Sequence, residues 1–199
     1  GLSLAPLSGP FQQEVLDYLR PITGPMDAER PIETLGAYLD ALERESIPIH
    51  VGMLAGAGTI RAAVAGYSRE RLEEEDYQEI QRRIAQALAE GALGVSLGLG
   101  YAPECFYTTE ELIRALSPLR GRDIPVTVHM REEGDGVLEA LEEMLAVGRA
   151  LNVPVHISHL KAMGRRNWDR LIPEALARLE EAAGEGMDVA WDVDPYTAG

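Results

Sequence analysis

Two short apolar runs, Ile124-Pro125-Val126-Thr127-Val128-His129-Met130 and Val153-Pro154-Val155-His156-Ile157-Ser158-His159-Leu160, flank a stretch with a different period. Between them Val137, Leu138, Leu141, Met144, Leu145 and Leu151 recur mostly three and four residues apart, as one face of an amphipathic helix does. The flanking runs are rich in β-branched residues and led by a proline, the pattern of strands covered on both faces. Residues 124–161 are therefore predicted to form a β-α-β unit. The same alternation extends along most of the chain. Strands are expected over 47–54, 92–100 and 187–194, and helices over 73–90, 108–119 and 168–183. Thr108 with Glu111 makes a capping box, Gly91 stops the helix before it, and the Gly/Ala-rich run at 55–61 reads as a tightly packed turn.

Five strands with a helix between each successive pair imply a parallel sheet with right-handed crossovers. Two closures are compatible with this: an open doubly wound sheet, or part of a (β/α)8 barrel, which needs eight strands to close. Residues 1–46 form a lead-in to the single domain. They comprise a Gly/Ser/Pro-rich opening, a short helix over 11–19, interruptions at Pro21, Pro25 and Pro31, and a helix over 32–45.

Composition narrows the function classes. The chain has 199 residues, 46% of them hydrophobic, and a formal net charge of -15. That charge argues against nucleic acid or an anionic membrane as partner, since both demand a basic face. The single cysteine, Cys105, excludes an internal disulfide and fits a reducing, cytoplasmic setting. The sequence contains no apolar run of the roughly 18 to 20 residues that span a bilayer. An open five-stranded sheet would leave edges that invite self-association.

The chemistry concentrates at the carboxyl ends of the two flanking strands, where ligands collect in parallel α/β folds. His129 and His159 both lie there, and neutral imidazoles on neighbouring strands can share a zinc ion. The alternative for either is a local hydrogen bond. Strand alternation groups residues 155, 157 and 159 and turns His156 the other way, so His156 is expected to face the helical layer in a structural role.

Three stretches, His129-Met130-Arg131-Glu132-Glu133-Gly134-Asp135, Ile157-Ser158-His159-Leu160-Lys161 and Asp194-Pro195-Tyr196-Thr197-Ala198-Gly199, resemble the D-aminoacylase (N-acyl-D-amino-acid deacylase) branch of the metal-dependent amidohydrolases. The likeness continues through Gly58-Thr59-Ile60-Arg61 and Gly91-Ala92-Leu93-Gly94-Val95-Ser96-Leu97-Gly98-Leu99, so it covers nearly the whole chain. It implies a partial TIM barrel containing strands 3 to 7, with zinc bound by His129 and His159. It also implies a substrate site formed by Tyr101, Lys161, Met163, Asp194 and Tyr196. In that family the tyrosine contacts substrate, the lysine meets its α-carboxylate and the methionine position is an apolar wall. The family's His-X-His pair, zinc-binding cysteine and general-base aspartate have no counterpart here. The cysteine would fall just before Gly1 and the aspartate beyond Gly199, and Cys105 does not replace the former.

The activity so implied is hydrolysis of a small N-acyl amino acid or related amide, with the chain by itself inactive. Other readings are a cyclic-amide amidohydrolase of dihydroorotase or hydantoinase type, and a non-catalytic structural or binding fragment. The family's Tyr-Pro-Tyr is Asp194-Pro195-Tyr196 here, and an aspartate would repel a substrate carboxylate. Ala57 likewise stands where the family often has histidine.

Overall fold

The computed structural model describes residues 1–25 and 31–196; Thr197, Ala198 and Gly199 of the last quoted motif lie outside them. The lead-in contains α1 (Gln12–Thr23) and α2 (Leu35–Arg44). Helix α1 runs through Pro21 instead of ending before it. Pro21 sits in the last turn, where the absent N–H forfeits only the end of the ladder, and the Gly24 N–H closes the helix on Arg20 O. Helix α2 starts at Thr34, whose hydroxyl accepts the Ala37 N–H.

Five strands follow: β1 (Leu54–Gly56), β2 (Gly94–Gly98), β3 (Val126–His129), β4 (Val155–Ile157) and β5 (Val189–Trp191). They form one parallel sheet in the order β1-β2-β3-β4-β5. Between β1 and β2 lie α3 (Ala57–Ala65) and α4 (Glu74–Ala89); α5 (Thr109–Ala115), α6 (Val137–Leu151) and α7 (Trp168–Gly184) fill the later crossovers. Strand order decides between the two closures. A doubly wound sheet reverses direction at a switch point, whereas here each crossover moves one strand in the same direction, as in a barrel wall.

Burial agrees. Val126, Val128, Val155 and Ile157 are buried in the same cluster as Leu141, Met144 and Leu145 of α6 and Leu171, Ala175 and Leu179 of α7. The alternate positions form a cross-sheet row, Ser96-Thr127-His156-Ala190, in direct register, and all four are at least partly accessible. Helices thus cover one face, and the other corresponds to the inner wall of a barrel.

Two sequence expectations are corrected. The first strand lies at Leu54–Gly56, inside the run read as a turn, and not over 47–54. Pro48 supplies no N–H to a ladder, and Ile49 is 69% exposed; pairing begins only where Leu54 meets Gly94. The remainder of the Gly/Ala run opens α3, which is buried along nearly its whole length.

Gly94 of β2 has a close backbone neighbour. At Gly94 a β-carbon would lie 2.6 Å from Pro125 O, so a side chain there would collide with the backbone leading into β3.

The loop after β2 is anchored by the capping box of α5. Thr108 Oγ1 accepts the Glu111 N–H at 3.2 Å, and Glu111 Oε2 accepts the Thr108 N–H at 2.9 Å. Thr108→Ala is expected to lower unfolding stability by ~1 kcal/mol, read as a lower urea midpoint at unchanged slope.

Candidate metal centre

His129 is the last residue of β3, and its ring is carried on the open face beside β4. His159 reaches the same point by another route. Strand β4 ends at Ile157, and His159 adopts φ 43°, a left-handed backbone uncommon for a residue with a β-carbon. The chain therefore turns over the strand end instead of continuing the alternation. That corrects the expectation for His156. Val155 and Ile157 face the helices, and His156 shares the open face with Thr127. There its Nε2 lies 2.6 Å from Asp192 Oδ2.

The two rings meet edge to face with centroids 4.8 Å apart, and His129 Nδ1 is 3.1 Å from His159 Nε2. Glu133 completes the group: its Oε1 lies 2.8 Å from His159 Nδ1 and 3.6 Å from His129 Nδ1. One ligand atom from each of His129, Glu133 and His159 falls within 4.8 Å of the others. Glu133 is buried, which a carboxylate tolerates only with partners. One of these is Lys161, whose Nζ donates to Glu133 Oε1 at 3.2 Å and to the His159 carbonyl at 2.9 Å. Asp194 Oδ2 lies 3.5 Å from the same Nζ.

Tyr101 stacks on His129 with centroids 4.6 Å apart and planes 22° from parallel, while half its surface stays open to solvent. Met163 is also half exposed, and its N–H donates to Glu133 O at 2.6 Å. Tyr196 is 78% exposed and joins none of these contacts among the described residues. The structure thus gathers His129, His159, Tyr101, Lys161 and Asp194, brings Met163 alongside through its backbone, and leaves Tyr196 apart. Cys105 lies in the 3₁₀ turn Glu104–Phe106, and its carbonyl accepts from Arg131 Nη1.

Electrostatics favour a neutral His129. Burial holds its pKa below the ordinary value, helped by the charges of His159 and Lys161 and opposed by the Glu133 carboxylate. A neutral ring can offer a lone pair to a cation. The donor spacing fits zinc as well: ligands about 2.0–2.1 Å from a tetrahedral ion are roughly 3.3 Å apart, close to the 3.1 Å between the ring nitrogens. His159 Nδ1, on the far side of its ring from Nε2, lies between Glu133 Oε1 at 2.8 Å and Lys161 Nζ at 3.0 Å. A carboxylate beside the second ring nitrogen is the support that metal-binding histidines ordinarily have.

Sequence reasoning missed Glu133. The available signal was a carboxylate four residues beyond His129 in a segment read as a loop. Asp192 was also missed. Its pKa is lowered by hydrogen bonds from His156 and from the His159 N–H.

A singly wound parallel sheet with a His-Glu-His set at the carboxyl ends of its strands is the framework of an α/β-barrel metal site. No protein-family model matches the chain. Over its whole length it is similar to a D-aminoacylase and an N-acyl-D-amino-acid deacylase. It is 36% identical over 199 residues to a D-aminoacylase of Alcaligenes xylosoxydans xylosoxydans and 35% identical over 199 residues to an N-acyl-D-aspartate deacylase of the same organism. It spans 40% and 39% of those relatives.

Among solved structures, a D-aminoacylase described as defining a novel subset of amidohydrolases superposes with TM-score 0.83 at 34% identity, matching 100% of this chain and 40% of that one. An N-acyl-D-glutamate deacylase from Bordetella bronchiseptica, complexed with zinc and a phosphonate mimic of the tetrahedral intermediate, gives 0.82 at 30% identity over 98% of this chain and 40% of its own. Among the described residues no helix is long and apolar enough to cross a membrane.

Proposed function

We propose that residues 1–199 are the central part of one amidohydrolase barrel domain, with 1–46 as lead-in and 47–199 as βα units. In this reading the domain binds zinc through His129 and His159 and serves the hydrolysis of a small amide C–N bond of the N-acyl-D-amino-acid type. The observation that carries the proposal is the 3.1 Å approach of the two ring nitrogens from adjacent strands. When bound, zinc supplies Lewis acidity toward water and an amide carbonyl.

The chain's own groups have separable tasks. Glu133, 2.8 Å from His159 Nδ1, orients the His159 ring. Tyr101, stacked on His129, offers a hydroxyl to the oxygen of a reacting carbonyl, where developing negative charge needs a donor. Met163 borders the exposed side of the site, whereas Tyr196 stays apart from it. Lys161 is the cation that faces a substrate carboxylate, but Glu133 and Asp194 already draw on its charge. Asp194 therefore weakens selection for an anionic substrate.

The chain contains neither the family's cysteine ligand nor its general base, so by itself it is inactive. The outer edges of β1 and β5, which have no strand partner among the described residues, favour self-association.

Zinc titration by calorimetry, combined with an assay for release of free amino acid from N-acetyl-D-methionine, tests both halves. One zinc per chain and no release above the buffer rate is the expected result. Failure to bind zinc overturns the metal centre, and zinc-dependent release overturns the inactivity.

A further inference from the structure

His159 is the one residue of the metal group whose backbone lies outside the common regions, at φ 43°. Such a conformation persists where the surroundings over-determine it. The determinant is the single residue that follows β5, Asp192. The Asp192 N–H donates to Ile157 O at 3.1 Å, and Asp192 O accepts the Leu160 N–H at 2.8 Å, so its main chain brackets the turn on both sides. Its side chain fills the gap between these two bonds. Oδ1 accepts the His159 N–H at 2.6 Å, and Oδ2 lies 2.6 Å from His156 Nε2.

Ordinary ladder bonding beyond a parallel strand would leave the N–H of a turned residue without a sheet acceptor. Here a carboxylate supplies one, and the opposed imidazole fixes that carboxylate's rotamer.

We propose that Asp192, held in place by His156, is a positioning residue for the metal ligand His159. It acts through the His159 main chain, without touching the metal or substrate, and its partner His156 is on the open face for this purpose. The inference rests on the reading of His129 and His159 as zinc ligands. It predicts more than that reading does, because it singles out an acceptor oxygen on the segment just after β5.

The test compares the 199-residue chain with Asp192→Ala and Asp192→Asn, with far-UV circular dichroism and urea unfolding confirming that each variant folds. Two readouts are taken: cobalt(II) or zinc affinity with the cobalt absorption spectrum, and the amide proton shift of His159 by NMR in the metal-free chain. The loss of a supporting group costs about 10–100-fold in metal affinity. Asp192→Ala is expected to show that loss, an altered cobalt spectrum and an upfield-shifted His159 amide. Asp192→Asn keeps an acceptor oxygen and is expected to restore most of all three.

Unchanged affinity and spectrum in Asp192→Ala would overturn the proposal, and so would an Asp192→Asn variant as impaired as the alanine. If the unsubstituted chain binds neither metal, the zinc reading fails by itself. The NMR comparison still decides whether Asp192 sets the His159 backbone: an amide shift that stays in place in Asp192→Ala overturns that too.

Discussion

Substituting alanine at both His129 and His159 is expected to eliminate zinc retention while leaving the fold in place. Both rings lie on the open face of the sheet, at 22% and 29% side-chain exposure, so their removal opens no cavity in the helical core. The affinity loss should exceed the ~10–100-fold associated with a merely supporting residue, because each imidazole supplies one of the few donors on the ion. Single variants should each lose most of the affinity, since a lone imidazole with Glu133 leaves too few protein donors for a four-coordinate ion. Metal analysis after gel filtration reads the result directly. Near-stoichiometric zinc in the double variant would mean that the metal is held elsewhere.

Glu104→Gln is expected to flatten the pH dependence of stability between about pH 4.5 and 7. The Glu104 carboxylate is fully buried, and burial pushes its pKa up to about 7, against the opposing pull of the Gly1 α-amino group, the Gly98 N–H and Arg61. Its Oε2 accepts the Gly98 N–H at 3.0 Å, while Oε1 is buried without a hydrogen-bond partner. A carboxyl group whose folded pKa is raised binds more protons in the native state than in the unfolded one. Stability therefore falls as pH rises from the unfolded pKa through the folded one. A displacement from 4.5 to about 7 corresponds to ~3 kcal/mol. His129, whose pKa is lowered, contributes with the opposite sign near its own titration, so the quantity to measure is the difference between wild type and variant at each pH. Urea midpoints that diverge with rising pH in the variant's favour bear out the account, and parallel midpoints contradict it.

Why Glu104 is tolerated at all is a matter of local pairing. Arg61 is fully buried. Its Nη2 donates to Arg69 O and Glu70 O, and its guanidinium lies over the Tyr107 ring at 4.9 Å. The positive charge so immobilised lowers the cost of the nearby carboxylate without forming a direct ion pair among the described contacts. Together they secure the loop after β2 that carries Tyr101.

The parts of the fold that were legible in the sequence have strong periodicity. Helices α4, α6 and α7 each bury one stripe and expose the other, and strands β3 and β4 are short, β-branched and led by proline. Helix α3 was invisible because it is short, rich in Ala and buried at eight of its nine residues, its one charged residue Arg61 included, so no solvated polar face marks its period. The same run hid β1, which is three residues long, while the more strand-like 47–53 stays outside the sheet.

The site was half legible. His129 and His159 were both read as strand-end residues, and their two rings do meet. Alternation assigned His156 to the wrong face because it assumed that the strand continues to His159, whereas a left-handed residue ends it. Glu133 and Asp192 have no periodic signature. Their contacts arise from the loop after β3 folding back and from the segment that follows β5, and both are set by tertiary structure.

The most direct test of the whole account is anomalous diffraction at the zinc edge from zinc-loaded crystals of this chain. The account predicts a peak about 2.0–2.1 Å from both His129 Nδ1 and His159 Nε2. A zinc ion bound away from these two nitrogens, or coordinated by only one of them, would contradict it.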